Sequence, residues 1–490
     1  MEDAHREWLW RTAGRLGRTA LLLGLVACTW WPALVGCLSC LSIALPLKWL
    51  HELWLSSRSA LAGPYHMTRT VLVSGGHRPQ GLHVARALRK EGFRVVVVSP
   101  RSCLATLAFY STCVDRVIQV PCPRTAPQHY ARELHRIAID YRVDFFLPMP
   151  APKEVEAESA AASQLSRIGV SCLCVPLPHV ADFVRLDRFY ELVESMNMET
   201  VMYYKVRDMA RVAGLYRRGV IVINGCRFMA KTAAPNGLHE SKWLPMPRSL
   251  SEAQQKYDGV IGDASGSTWV VAKFTAGYQY LLTVVVRKNR VLASVACREG
   301  RTLHMVRSRE MEQWAVQFFR RLPREVSGAF TFRFLKTVPE GRRTTYLPVF
   351  CKPCADLSML FVDGRMGVLS ALLADGVQPP AVDVFSEPRR PLCVYSGYAQ
   401  LMRLAELLPQ PRQLLAELAR SVKLLLRGRE AVFSLCDPLP FLLWNHVLLP
   451  WRLVRGLLCG GRTVDQFDFL SGQFRDAGEW FAGLEEEQRL

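Results

Sequence analysis

Between Thr70 and Val175, short apolar runs alternate with amphipathic segments. Few arrangements other than a parallel sheet with crossover helices accommodate that order. The strand-like runs are Thr70–Ser74, Arg94–Val98, Arg116–Val120, Asp144–Pro148 and Ser171–Val175. Helical periodicity marks Leu82–Glu91, Tyr130–Tyr141 and Glu154–Ile168 between them. The first run closes on Ser74-Gly75-Gly76, where a dinucleotide fold would place its phosphate loop. The full Gly-x-Gly-x-x-Gly spacing is missing, and a tight turn at a strand end is the preferred reading over an NAD site.

A second block follows with a different rhythm. His179–Met196 reads as a helix, and Val220–Asn224 and Arg227–Thr232 as strands around Gly225. Thr232–Gly237 is a turn-rich loop. Thr268–Phe274, Tyr278–Arg287 and Arg290–Cys297 read as antiparallel strands, and Arg309–Leu322 as a helix. Residues 327–354 then read as a hairpin: Ala329–Leu335, a basic turn at Pro339–Arg343, and a return over Thr344–Cys351. After Pro391 the pattern is helical over Tyr395–Leu408 and over Pro411–Leu426, the latter amphipathic and basic. Asp437-Pro-Leu-Pro-Phe441 breaks it before an apolar run to Leu458, which suits either a membrane surface or packing against the core. No internal repeats occur. The expected division is 1–66, 67–178, 179–390 and 391–490.

Ala20–Leu47 is nearly free of charge and long enough to cross a bilayer. Trp8, Trp10, Trp49 and Trp54 flank it as interfacial anchors would. A cleaved signal peptide is the competing reading, disfavoured by the length of the apolar part and by its downstream flank. Pro32 leaves a kinked single span and a re-entrant hairpin both open. A membrane anchor, with lipid as a partner, is therefore expected.

The chain has 490 residues, half of them hydrophobic, and a formal net charge of +19. That excludes a mainly disordered protein and favours anionic partners. No basic block with interleaved aromatics marks a nucleic-acid surface, so no nucleic-acid partner is expected. The fifteen cysteines form no disulfide-like framework and point to reduced, buried thiols on a cytosolic face. Cys172-Leu-Cys174 and Cys351-Lys-Pro-Cys354 lack a second pair at zinc-finger spacing, and no metal site is expected from them.

The order of a strand–helix sheet, a Lys-bearing strand with a loop, a hinge strand and then the 327–354 hairpin resembles the ATP-grasp enzymes. Within that superfamily the chain is most similar to the membrane-associated ligases of mycosporine biosynthesis, which join glycine to deoxygadusol. The likeness spans roughly residues 68–470, including the Asp437–Phe441 and Asp465–Asp468 segments. It implies α/β and α+β architecture: an ATP-grasp fold preceded by a Rossmann-like parallel-sheet domain, with an N-terminal transmembrane helix and a helical C-terminal extension. It also implies ATP as cofactor. Arg188, in Asp187-Arg188, stands where the family has Asp-Lys, and Lys231 where a second lysine reaches the phosphates. Lys273 and Phe274 stand in the adenine hinge, whose backbone can hold the base.

The metal hairpin departs from that pattern. The resemblance places an acid on the first strand and Glu-x-Asn on the second, converging on magnesium because residues i and i+2 share a face. Here those positions are Arg333, Phe350 and Lys352, and Cys354 replaces a substrate-binding arginine. None of the three side chains at the metal positions offers an oxygen ligand, which puts magnesium in doubt.

Three functional readings follow. In the first, a membrane-anchored ATP-grasp relative binds a nucleotide, a small anionic metabolite or a protein partner without ligation, Arg333 and Lys352 standing in for the metal charge. In the second, the chain is a working carbon–nitrogen ligase whose ligands lie elsewhere, Glu340, Asp356 and Asp363 being the carboxylates to test. In the third it is an anchored α/β glycosyltransferase, against which stands the absence of an Asp-x-Asp motif. No Gly-x-Ser-x-Gly elbow supports a serine hydrolase.

Overall fold

The computed structural model describes residues 69–444, apart from 102–105, 151–153, 222–226, 234–243, 262–267, 275–278, 300–301, 338–344, 362–392, 396–399, 401–403, 405–406 and 408–409. The apolar stretch 20–47, the turn carrying Glu340, Asp363, and the 445–490 tail lie outside these residues. Among the described residues no helix is long and apolar enough to cross a membrane.

The first unit is a five-stranded parallel sheet, built from β1 (Thr70–Val73), β2 (Arg94–Pro100), β3 (Arg116–Val120), β4 (Phe145–Leu147) and β5 (Ser171–Cys172). Its order is β3-β2-β1-β4-β5, so the direction of winding reverses between β1 and β4. The β1 and β2 runs are continuously apolar because both faces are covered. Leu72, Val96 and Phe146 pack with α2 (Pro127–Asp140) and α3 (Val155–Arg167). Val71, Val73, Val95 and Val97 face the other way, onto α1 (Pro79–Lys90) and one face of the central sheet.

Two helices, α4 (Leu177–Val184) and α5 (Leu186–Ser195), lead into the second unit. The single helix expected over His179–Met196 is thus broken at Arg185, whose backbone is extended. A four-stranded antiparallel sheet follows in the order β6-β9-β7-β8, from β6 (Tyr203–Val206), β7 (Arg227–Thr232), β8 (Leu244–Pro245) and β9 (Trp269–Phe274). Helices α6 (Met209–Arg217) and α7 (Leu250–Tyr257) cover one face of it through Val212, Leu215 and Ala253. Both were missed by hydrophobic periodicity, although both carry caps. Asp208 accepts from Arg211 N at 2.8 Å, and Ser249 accepts from Glu252 N at 3.3 Å.

The central sheet has seven strands in the order β14-β13-β10-β11-β12-β15-β16. They are β10 (Gln279–Arg287), β11 (Arg290–Glu299), β12 (Leu303–Val306), β13 (Gly328–Thr337), β14 (Thr345–Lys352), β15 (Cys393–Tyr395) and β16 (Arg429–Glu430). Tyr395, expected to begin a helix, ends β15 instead. Helix α8 (Arg309–Arg321) packs on one face. There Phe330, Phe332 and Phe334 meet Phe318, Phe319 and Phe189 in the largest core of the molecule. The period-two alternation of β13 sends Ala329, Thr331 and Arg333 to the opposite face.

Helix α9 (Pro411–Arg427) and the short helix α10 (Leu439–Leu443) complete the described chain. Cys297, Cys351, Cys354 and Cys393 are buried, as expected for reduced thiols, but Cys436 is exposed and Cys113, Cys122, Cys172 and Cys174 are half-buried. Among the described residues the expectation of buried thiols fails at those five.

Candidate functional site

Strand pairing alone fixes the floor of the site. Cys297 of β11, Leu281 of β10, Arg333 of β13 and Phe350 of β14 lie side by side across four strands. Directly opposed residues share a face, so Arg333 and Phe350 stand together there, and Lys352 joins them two residues along. Glu299 reaches the same face from β11, two residues beyond Cys297. Nearer the five-stranded sheet this face is sealed by apolar contacts of Leu281, Val285, Cys297 and Ala329. The polar residues gather at the other end.

The small antiparallel sheet supplies the opposite wall. Lys231 of β7 sets its ammonium 5.4 Å from the centre of the Phe350 ring, within cation–π range. Its strand is tied to the start of α5, where Leu186 N donates to Ala233 O at 3.0 Å. The structure therefore brings Lys231, Phe350 and Arg333 to one place.

Each of the two cations at the positions expected for metal ligands holds a carboxylate. Arg333 Nη2 lies 3.0 Å from Glu299 Oε1, and the Glu299 side chain is only 2% exposed while that of Arg333 is 32% exposed. Lys352 Nζ lies 3.2 Å from Asp356 Oδ2, and its side chain is 3% exposed. Lys352 is thus turned inward, toward a charged cluster at the carboxyl end of the parallel sheet. There the buried Arg78 guanidinium bonds Glu154 at 3.1 Å and is drawn electrostatically by Glu154 and Asp356. Burial lowers the Arg78 pKa from its ordinary value against those opposing charges.

The Cys351–Cys354 segment is a structural turn. Cys354 N donates to Lys352 O at 2.8 Å, and Thr331 Oγ1 donates to Cys354 O at 2.8 Å. Burial pushes the Cys354 thiol up to about 12 and the Cys351 thiol upward as well, so neither is a thiolate at neutral pH.

The remaining sequence candidates go elsewhere. Arg188 is paired with Asp182 at 3.7 Å, and Asp187 with Arg185 at 2.9 Å. Asp182, on α4, also holds Arg324 at 2.7 Å, so Arg188 of α5 meets a carboxylate shared with the segment after α8. Lys273 stands opposite Phe228 in the β7–β9 register, on the face packed by α6 and α7 rather than the face of Lys231. Its backbone N–H is bound to Met202 O at 2.8 Å. Phe274 closes β9 opposite Arg227. Glu299 was not singled out from the sequence. Its only signal was a carboxylate at the end of an alternating strand, in step with Val295 and Cys297.

Among the described residues, the side chains of Arg333, Phe350 and Lys352 offer magnesium no oxygen ligand. The ion needs several oxygen ligands, whereas each nearby carboxylate is held by a basic side chain. Among the described residues no three acidic, histidine or cysteine side chains form a group able to hold a metal ion.

A second polar cluster lies where the parallel sheet changes direction. Gly75, at φ +73°, follows β1, and a Cβ there would meet Met149 O at 2.5 Å. The close approach lets Ser74 Oγ accept from Met149 N at 2.9 Å. Burial pushes the Glu158 carboxyl up to about 8, against hydrogen bonds with Ser74 and Tyr130.

No protein-family model matches the chain, and no curated protein sequence matches it. Several solved structures are similar to it. An L-amino acid ligase from Bacillus licheniformis is 11% identical, with 66% of this chain and 78% of that chain covered and a TM-score of 0.46. The biotin carboxylase of Campylobacter jejuni is 10% identical, covering 64% and 73%, at a TM-score of 0.47. The N5-carboxyaminoimidazole synthetase of Staphylococcus aureus is 13% identical, covering 64% and 78%, at a TM-score of 0.43. At these values the likeness assigns neither activity nor ligand.

Proposed function

We propose that this protein is a membrane-anchored, ATP-grasp-like binder of nucleotides or small anionic metabolites, in which side-chain cations replace magnesium and ligation is lost or strongly altered. The observation that carries this reading is Lys231 facing Phe350 beside Arg333, across the gap between the two antiparallel sheets. A phosphate entering there meets an ammonium from one wall and a planar guanidinium from the other. The Phe350 ring sits where a metal-binding carboxylate would be, and its face steadies Lys231 instead. Lys352, committed to Asp356, takes a structural part, which narrows the metal-replacing role to Arg333.

Loss of ligation follows from charge. Transfer of a phosphoryl group develops negative charge that metal ions neutralise, and one such contact can be worth about a hundredfold or more in rate. Arg333 shares its charge with Glu299 and supplies less. Attachment to a membrane is supported by the length and flanks of residues 20–47, and the cysteine usage favours a cytosolic position for the folded part.

Equilibrium titration of the full chain in detergent with ADP and ATP, first with magnesium and then with EDTA, tests this. Affinity that survives EDTA and is lost in Lys231→Ala supports it. Binding that strictly requires magnesium overturns the cation-replacement reading and favours an active ligase. Formation of an amide product from an amino acid and a carboxylate would establish the ligase.

A further inference from the structure

Helix α9 carries an apolar stripe on its outward side. Leu415, Leu418, Val422, Leu425 and Leu426 are between 41% and 80% exposed. At about 100° per residue they fall within roughly 100° of arc. The neighbouring sector is already taken: Leu414, Glu417, Ser421 and Leu424 are the buried and half-buried positions, centred about 110° from the stripe, and they pack toward β15 and β16. An unclosed helix edge of average composition would expose polar residues here, so the stripe is a departure from the usual amphipathic rule.

Cations mark the adjoining exposed sector. Arg412, Arg420, Lys423 and Arg427 project from the sector adjoining the leucines, all classed as exposed. The one carboxylate of the helix, Glu417, is buried on the docked side and holds Arg420 at 2.7 Å. The helix therefore presents an apolar sector beside a sector in which four cations are interspersed with Ala416 and Ala419. That order matches the depth profile of an anionic bilayer, with acyl chains below and acidic headgroups alongside. Long basic side chains at the edge of such a stripe can lie along it while their charges stay in the headgroup layer. The chain's net charge of +19 adds long-range attraction to the same surface.

We propose that α9 is an interfacial helix that rests on an anionic lipid surface, inserting the Leu415–Leu426 stripe and setting its arginines among the headgroups. It orients the folded part by laying the β15–β16 edge of the central sheet toward the bilayer. The proposal is independent of nucleotide binding and of whether residues 20–47 span the membrane.

Position-specific quenching in the full chain separates this contact from any anchor. Val422→Cys and, in the basic sector, Ala416→Cys are each labelled with an environment-sensitive fluorophore, in a background where the exposed Cys436 is replaced by Ser. Each protein is placed in phosphatidylcholine vesicles with and without phosphatidylserine at roughly a third of the lipid. Nitroxide-bearing lipids are expected to quench the label at 422 strongly and at 416 weakly. Quenching at 422 should increase with phosphatidylserine and fall when Arg420→Glu and Lys423→Glu are combined. Equal quenching at both positions, or none at 422, overturns the proposal. So does protection of the 422 label from an aqueous quencher before lipid is added, because another protein surface then covers the stripe.

Discussion

Arg86 and Asp437 are separated by most of the folded chain, yet Arg86 Nε donates to Asp437 Oδ2 at 2.8 Å in a fully buried pair. The guanidinium also bonds Asp437 O at 2.7 Å and Val432 O at 2.6 Å. Ser111 Oγ and the Thr112 N–H complete the carboxylate's shell at 2.6 and 2.8 Å. The Asp437–Phe441 segment is thereby fastened to α1 and to the loop before β3. Breaking one side of such a pair leaves a buried, uncompensated charge, a loss of about 3–5 kcal/mol. Asp437→Ala should therefore lower the urea midpoint sharply. The double variant Arg86→Met, Asp437→Leu should lose much less than the sum of the singles, as a double-mutant cycle will report.

The aromatic core behind the hairpin gives a second expectation. Phe332 is fully buried and touches Phe189, Phe318, Phe319 and Trp314. Its truncation in Phe332→Ala removes those contacts and opens a cavity, a cost of about 3–5 kcal/mol. Phe332→Leu should recover much of that loss. Recovery of nothing would mean that ring geometry, rather than volume, holds β13 on α8.

Glu158 predicts a pH dependence of stability. Its ordinary value of 4.5 is raised to about 8 in the fold, chiefly by burial. In the unfolded chain it ionises near the ordinary value, while the native side chain keeps its proton until about pH 8. Between those limits the native state binds more protons, so its contribution to stability is full in acid and declines as pH rises through the window. Glu158→Gln cannot ionise and should remove this decline. Urea midpoints at about pH 5 and about pH 8 will show a smaller difference in the variant than in the parent.

The parallel sheet was legible chiefly because β1 and β2 are buried on both faces and read as nearly unbroken apolar runs, whereas β3 is partly exposed and was marked by Val117, Ile118 and Val120. Thr70–Val73 and Arg116–Val120 fall where expected, and Arg94 opens β2 as expected, although that strand continues to Pro100. The long antiparallel strands and α8 were equally clear. Short pieces were not: β8, β12, β15 and β16 are too brief for period two to register, and their existence is set by neighbours. The break between α4 and α5 was hidden because Val184 and Leu186 continue the apolar pattern across extended Arg185. In the site, pairing of Arg333 with Phe350 could be read from a hairpin, and the i,i+2 rule added Lys352. The commitment of Lys352 to Asp356 depends on a turn after the strand, and the partnership of Arg333 with Glu299 spans two intervening ladders. Neither is local, so neither was visible.

Glu299 sets the strength of the proposed anion site. Its carboxylate is buried against Arg333 and cancels part of the charge that a phosphate would meet. At a few ångströms, even with an effective dielectric constant of about 20, a unit charge changes the energy of a bound anion by a few kcal/mol before screening. Glu299→Gln keeps the shape and removes the charge, so metal-free affinity for ADP should rise by several-fold to about tenfold. Arg333→Met should act in the opposite direction. Calorimetric titration in EDTA decides between them: a fall in affinity on Glu299→Gln would mean that the carboxylate positions Arg333 more than it neutralises it, and that the guanidinium's orientation governs binding.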